Sequence, residues 1–126
     1  MSKAQVFIDH LVVPVRDLEA SRSFYRQALA PFGVEELELD GVGWGPPDRV
    51  DFFIRQGEPA APLHLAFAAP DRATVDSFHA AALGAGGTDN GAPGLRPRYH
   101  ENYYAAYVID PDGHNVEAVC HVAEQP

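Results

Sequence analysis

Residues 10–33 read HLVVPVRDLEASRSFYRQALAPFG, and residues 64–87 read HLAFAAPDRATVDSFHAAALGAGG. Aligned at a constant offset of 54 residues without a gap, the two stretches match at several points. His10-Leu11 falls on His64-Leu65, Asp17 on Asp71, Ser23-Phe24 on Ser77-Phe78, Ala28-Leu29 on Ala82-Leu83, and Gly33 on Gly87. A self-match at so long a period marks a duplicated supersecondary unit. Two copies make a pseudo-twofold domain; a solenoid needs more.

The unit has a physical reading. Val6 to Val13 is apolar and β-branched, which predicts a strand. Asp17 stands where a helix N-cap belongs, and a helix is expected from about Leu18 to Leu29, ended by Pro31 and Gly33. In the second copy the strand is Leu63 to Ala69 and the cap Asp71. Val75, Phe78 and Ala82 form one helical face, and Gly84 is the stop. Shorter extended segments follow: Val34 to Leu39 and Val50 to Arg55 around a turn near Gly41–Pro47, then Tyr103 to Ile109 and Asn115 to His121 around Asp110-Pro111-Asp112-Gly113. The Gly- and Pro-rich stretch Gly84–Arg98 reads as a long loop, or a loop holding a short strand. Each half is thus βαβββ in one α+β domain, 1–126, with modules at about 5–57 and 60–122.

Composition narrows the function. A net charge of −9, with nine Lys and Arg spread along the chain, excludes the basic face that nucleic acid requires. No window approaches eighteen apolar residues, the first five residues lead into no signal-peptide core, and a single cysteine, Cys120, forms no internal disulfide. A cytoplasmic protein with a small-molecule partner and no membrane contact is expected.

Duplication places His10 and His64 at equivalent positions, where packing about a pseudo-twofold axis can bring them together. Glu117 lies within Val116-Glu117-Ala118-Val119-Cys120, an apolar run in which an unpaired charge is costly. Two imidazoles and one carboxylate with open positions are the donor set of a catalytic metal site. Taken singly, a strand histidine is more often a hydrogen-bonded core or edge residue, and a strand glutamate often faces solvent. Matched positions in a repeat are what raise the metal reading above that.

Ile8-Asp9-His10-Leu11-Val12-Val13-Pro14-Val15-Arg16-Asp17, followed by Ser23-Phe24-Tyr25, resembles the opening of the vicinal-oxygen-chelate superfamily of glyoxalases, bleomycin-resistance proteins and extradiol dioxygenases. His64-Leu65-Ala66-Phe67 is similar to the start of its second module. Asp110-Pro111-Asp112-Gly113-His114-Asn115-Val116-Glu117 is similar to its closing motif, in which the glutamate is a ligand. The resemblance implies paired modules forming a curved mixed sheet around one divalent ion (Fe, Zn, Mn or Ni) held by His10, His64 and Glu117, and a homodimer. Glyoxalase I adds a glutamate in the first half. Matching Val116-Glu117 to Val50-Asp51 puts Asp51 there, but a shift of one residue presents Phe52 and a shift of two presents Phe53. The reading preferred leaves Asp51 exposed.

Between the long loop and the next strand, Arg96, Arg98, Tyr99, His100, Tyr103, Tyr104 and Tyr107 crowd together. Alternation puts Tyr103 and Tyr107 on one face and Tyr104 on the other. That face either lines a pocket, with Tyr103, Tyr107 or His100 as proton donor and Arg98 pairing an anionic substrate, or simply packs as aromatics do. Trp44 stands at a pocket mouth or caps the core. His79 is read as solvent-facing, and His114 and His121 as weak ligands. The function expected is a metal-dependent lyase, isomerase or dioxygenase acting on a small oxygenated substrate. The alternative is a metal-free protein that sequesters a drug or metabolite, for which the acidity would suit a cationic one.

Overall fold

The computed structural model describes residues 8–59 and 61–124, so the start of the first predicted strand, Val6–Phe7, lies outside the described residues. The first half runs β1 (Leu11–Val15), α1 (Leu18–Leu29), β2 (Glu35–Glu38), β3 (Val42–Gly45) and β4 (Phe52–Gln56). The second runs β5 (His64–Ala68), α2 (Arg72–Gly84), β6 (Thr88–Leu95), β7 (Tyr104–Ile109) and β8 (Asn115–Cys120). Each half builds its own four-stranded mixed sheet, in the order β1-β4-β3-β2 and β5-β8-β7-β6. In both, the first strand pairs parallel with the last and the other pairings are antiparallel. The predicted duplication is realised as a repeated topology.

Both helices begin at the predicted caps. Asp17 Oδ1 accepts from the Ala20 amide at 3.1 Å, and Asp71 Oδ1 from the Thr74 amide at 2.8 Å, each satisfying a donor that the first turn leaves unpaired. α1 buries Ser21, Phe24, Tyr25, Ala28 and Leu29, one face at helical spacing, and α2 buries the predicted Val75, Phe78 and Ala82. The two faces share a core. Phe52 of the first module meets Phe67 of the second at 5.1 Å, and Phe32 meets Phe67 and Phe78 at 6.2 Å each, so aromatic packing crosses the seam.

Two strands differ from the expectation, and glycine accounts for both. Gly41–Pro47 was expected to turn, yet Val42–Gly45 is β3. The hairpin bend falls earlier, at Asp40 and Gly41, which both hold positive φ. Val42 and Trp44 face the core while Gly43 and Gly45 leave space on the other face. A Cβ at Gly43 would lie 2.5 Å from the Phe53 ring, and one at Gly45 would lie 2.7 Å from the Val50 backbone. In the second module the stretch expected as a long loop, or a loop holding a short strand, carries β6, eight residues paired to β7 through two register shifts at Asp89/Gly91 and Gly91/Gly94. No described helix is long and apolar enough to cross a membrane.

The β7–β8 turn clasps the modules. Tyr25 in α1 donates its hydroxyl to Asp110 Oδ2 at 2.5 Å, with both residues buried. Asp110 Oδ1 accepts the Asp112 and His114 amides at 2.9 and 2.8 Å, and Asp112 accepts from the Arg16 amide and the Ser21 hydroxyl. His114, read from sequence as a weak ligand in a turn, is buried, and its Nδ1 accepts the Leu63 amide at 2.8 Å, which ties β5 to the start of β8. Tyr25→Phe leaves one oxygen of a buried carboxylate without its donor. We expect a loss of about 2 kcal/mol and a fall in Tm of several degrees, measured by thermal and urea unfolding.

Candidate functional site

His64 opens β5 and Glu117 lies in β8, with the parallel register setting Ala66 opposite Glu117. Among the apolar residues of β8 the Glu117 carboxylate is only 1% exposed. Charge in that setting demands partners. One is His64 Nε2, 2.7 Å from Oε1, and the other is the Tyr103 hydroxyl, which donates to Oε2 at 2.5 Å. Tyr107, opposite Glu117 across the β7–β8 ladder, sets its ring 6.2 Å from that of His64. As alternation predicts, Tyr104 faces away, donating its hydroxyl to Asp76 on α2.

Burial, and then this carboxylate, raise both phenols. Desolvation and the hydrogen bond to Glu117 hold the Tyr103 hydroxyl well above the usual phenol range. Desolvation, then the charge of Glu117, raises Tyr107 as well. At neutral pH both are proton holders.

Beside the pair a cleft of about 540 Å³ opens, lined by His64, Tyr107, Tyr99, Arg96, Arg98, Asn90 and Asn115. His100 sits further out: its Nδ1 accepts the Asn102 amide, its Nε2 lies 2.9 Å from His121 Nδ1, and its ring meets Tyr103 edge-on. His121, set aside on sequence as a weak ligand, lies against His100, and neither Asn90 nor Asn115 was singled out. The crowding of polar residues from Arg96 to Tyr107 was the available signal for Arg96, but nothing linear pointed to the others. His79 is mostly covered and hydrogen-bonded to Asp89, not solvent-facing as read, because β6 passes over it.

Two predicted residues lie elsewhere. Trp44 is buried in the core of the first module, where its indole N–H donates to Glu36. His10 is half-exposed, with Nδ1 2.8 Å from Asp9 and its ring edge-on to Phe53 at 6.2 Å. Among the described residues no three of His, Cys, Asp or Glu are grouped to hold a metal ion, so one chain does not bring His10 to His64 and Glu117. Asp51 is paired to Arg49 at 3.2 Å.

Strand register explains His10 and Asp51 together. Leu11 pairs with Phe52, and its repeat partner Leu65 pairs with Val116. Across the next ladder Gly43 pairs with Phe53, as Tyr107 does with Glu117. Phe53 is therefore the counterpart of Glu117, and Asp51 that of Asn115. The linear match of Val50-Asp51 to Val116-Glu117 was two residues out of register. His10 meets Phe53 where its counterpart His64 meets Glu117, so an aromatic ring stands in the first module where the second has a carboxylate.

A profile of the Glyoxalase/Bleomycin resistance protein/Dioxygenase superfamily matches residues 7–118. The chain belongs to this superfamily. A glyoxalase/bleomycin resistance protein from Albidiferax ferrireducens T118 is 33% identical, with a TM-score of 0.78 over 89% of this chain and 97% of that one. Two solved structures share the fold at lower identity. The fosfomycin resistance protein FosX from Mesorhizobium loti is 23% identical, with a TM-score of 0.65 and coverage of 97% and 95%. Lactoylglutathione lyase from Agrobacterium tumefaciens is 24% identical, with a TM-score of 0.64 and coverage of 94% and 96%. No curated protein sequence matches. For this member of the superfamily, Tyr103→Phe removes one of two partners from a buried carboxylate and is expected to cost about 2 kcal/mol. Tyr107→Phe should cost less, and chemical denaturation of both variants makes the comparison.

Proposed function

We propose that this superfamily member is a metal-dependent enzyme, a lyase, isomerase or dioxygenase acting on a small oxygenated substrate, with its site completed across a homodimer. The observation that carries the reading is Glu117, a carboxylate 1% exposed yet held against the Nε2 of a half-exposed histidine. The donors fit one divalent ion: His64 and Glu117 of one copy, and His10 of a second. The chemistry suits Fe(II), and Zn, Mn or Ni are also accommodated. The second copy is needed because the module bearing His10 has Phe53 where a carboxylate would stand.

The edges support such an assembly. β1 and β5 each lie at the open edge of a sheet, and Ile8, Leu11, Val12 and Leu63 around them are 71%, 37%, 38% and 40% exposed. Bound there, the ion would act as a Lewis acid toward two adjacent oxygens of the substrate. The protein's own part is positional. Tyr103 fixes the orientation of Glu117, and Tyr107, which faces the cleft still protonated, is placed to give a proton to the substrate. With Phe53 in place of a second glutamate, the carboxylate that would naturally shuttle a proton in glyoxalase I is missing, so a lyase or dioxygenase role ranks above that of glyoxalase I. The arginines of the cleft oppose capture of a cationic drug, the alternative reading. A reduced, buried Cys120 fits a cytoplasmic setting.

Metal analysis and mixing test this. His10→Ala, His64→Ala and Glu117→Ala should each abolish stoichiometric binding, whereas Asp51→Asn should bind as the parent does. Co-refolding His10→Ala with His64→Ala restores one intact site in each mixed dimer, about a quarter of all sites. Full metal content in His64→Ala, or a monomeric chain that binds metal, would sink the assignment. Oxygen consumption during turnover selects the dioxygenase. Tight drug binding by metal-stripped protein, without turnover under any metal, selects sequestration.

A further inference from the structure

The chain carries 18 acidic residues against nine basic ones, so an arginine on its surface readily meets a carboxylate. Six of the eight arginines do so: Arg16 with Asp112, Arg22 and Arg26 with Glu36, Arg49 with Asp51, Arg55 with Asp40 and Arg72 with Glu124, at 2.6 to 3.5 Å. Among the described residues only Arg96 and Arg98 have no carboxylate within 4.0 Å. Both line the cleft that holds His64. In a protein of net charge −9, two uncompensated guanidiniums in one concavity beside the site are a local reversal of the field.

Their seats are shaped. The Arg96 guanidinium lies over the Tyr107 ring at 5.3 Å and donates from Nη2 to the Ala92 carbonyl at 2.8 Å. Two glycines of the bulged strand β6 make room for it. A Cβ at Gly91 would lie 3.3 Å from Nη2, and one at Gly94 would lie 3.1 Å from Nη1. Arg98 lies over Tyr99 at 4.8 Å and donates to its hydroxyl at 2.6 Å. These partners are carbonyl, hydroxyl and π faces, which orient a guanidinium without neutralising it. Asn90 donates to Asn115 Oδ1 at 3.1 Å, and both residues line the cleft.

We infer that this cleft is a subsite for an oxyanion, a carboxylate or phosphonate group that the substrate carries in addition to the two oxygens it presents beside His64 and Glu117. The inference rests on the reading of that pair as the reacting site, but the subsite exists in the protein alone. Planar, fixed guanidiniums pair such groups through two parallel hydrogen bonds, and do so with direction as well as charge.

Two measurements separate the subsite from the metal reading. In metal-stripped protein, the Arg96 and Arg98 Nε–H signals are followed by NMR as acetate, methylphosphonate or neutral acetamide is added. Saturable shifts of these two signals with an anion, and none with acetamide, support the subsite, and the better anion tells a planar group from a tetrahedral one. Equal, unsaturating shifts at Arg49 and Arg55 would mean ionic strength alone and overturn it. In manganese-loaded protein, 2-hydroxyglutarate and 2-hydroxybutyrate offer the same 2-hydroxy acid but differ by one carboxylate. Calorimetry should find the former bound roughly tenfold more tightly, with that preference between the two lost in Arg96→Gln/Arg98→Gln. Equal affinities in the parent protein overturn the subsite while leaving the metal reading intact. Should none of Fe(II), Zn, Mn or Ni bind, the metal reading fails and the NMR titration still decides the subsite.

Discussion

The Asp110 carboxylate, held by Tyr25 at 2.5 Å, is the constraint from which the site is set. It lies in the turn of the second module, yet its donor comes from the helix of the first. Its other oxygen gathers the amides of Asp112 and His114, which fixes the turn. His114 then takes the Leu63 amide and so fixes where β5 begins against β8. One residue after Leu63 comes His64, and three after His114 comes Glu117. Module docking, strand register and the 2.7 Å contact of the candidate site are thus links of one short chain of hydrogen bonds.

Duplication supplies the frame twice, and the two copies diverge at the position where chemistry needs charge. A buried phenylalanine is stabilised by leaving water; a buried glutamate is not, and needs hydrogen-bonding partners. Phe53, only partly buried, has no such demand and lies against Gly43, where a side chain would collide with its ring. Glu117 meets it with Tyr103 and His64. Gly43 and Tyr107 occupy the same place in the two ladders, so the exchange of one residue on β4 for its counterpart on β8 is matched by an exchange on the strand beside it. The asymmetry is a property of paired strands and not of single residues.

Much of this was legible in the linear chain because it is local or repeated. The helix caps Asp17 and Asp71, the apolar faces of α1 and α2, and the Asp110–Gly113 turn depend on neighbours within a few residues. The match of His10 to His64 depends only on the duplication. Burial of Glu117 could be read from the residues around it. Register could not: choosing Phe53 over Asp51 takes the hydrogen-bonded partners of β1 and β4, which lie about forty residues apart. The separation of His10 from Glu117 was hidden for a similar reason. Equivalence in sequence says that two residues occupy like positions, not that one chain brings them into contact.

β6 was the hardest element to see, and the reason bears on function. Thr88–Leu95 contains two glycines and a proline, and by propensity it is no strand. It is held as one by pairing to β7, whose own place is secured by β8, so tertiary context overrides local preference. The glycines that weaken the strand signal are those that let the backbone pass close to the Arg96 guanidinium, and the bulges they permit bend the strand around the cleft. Larger residues there would strengthen the strand in isolation and fill the space that Arg96 occupies. Poor local propensity and a cationic wall beside His64 therefore have one cause, and the stretch that reads least like structure is the one that shapes the cleft.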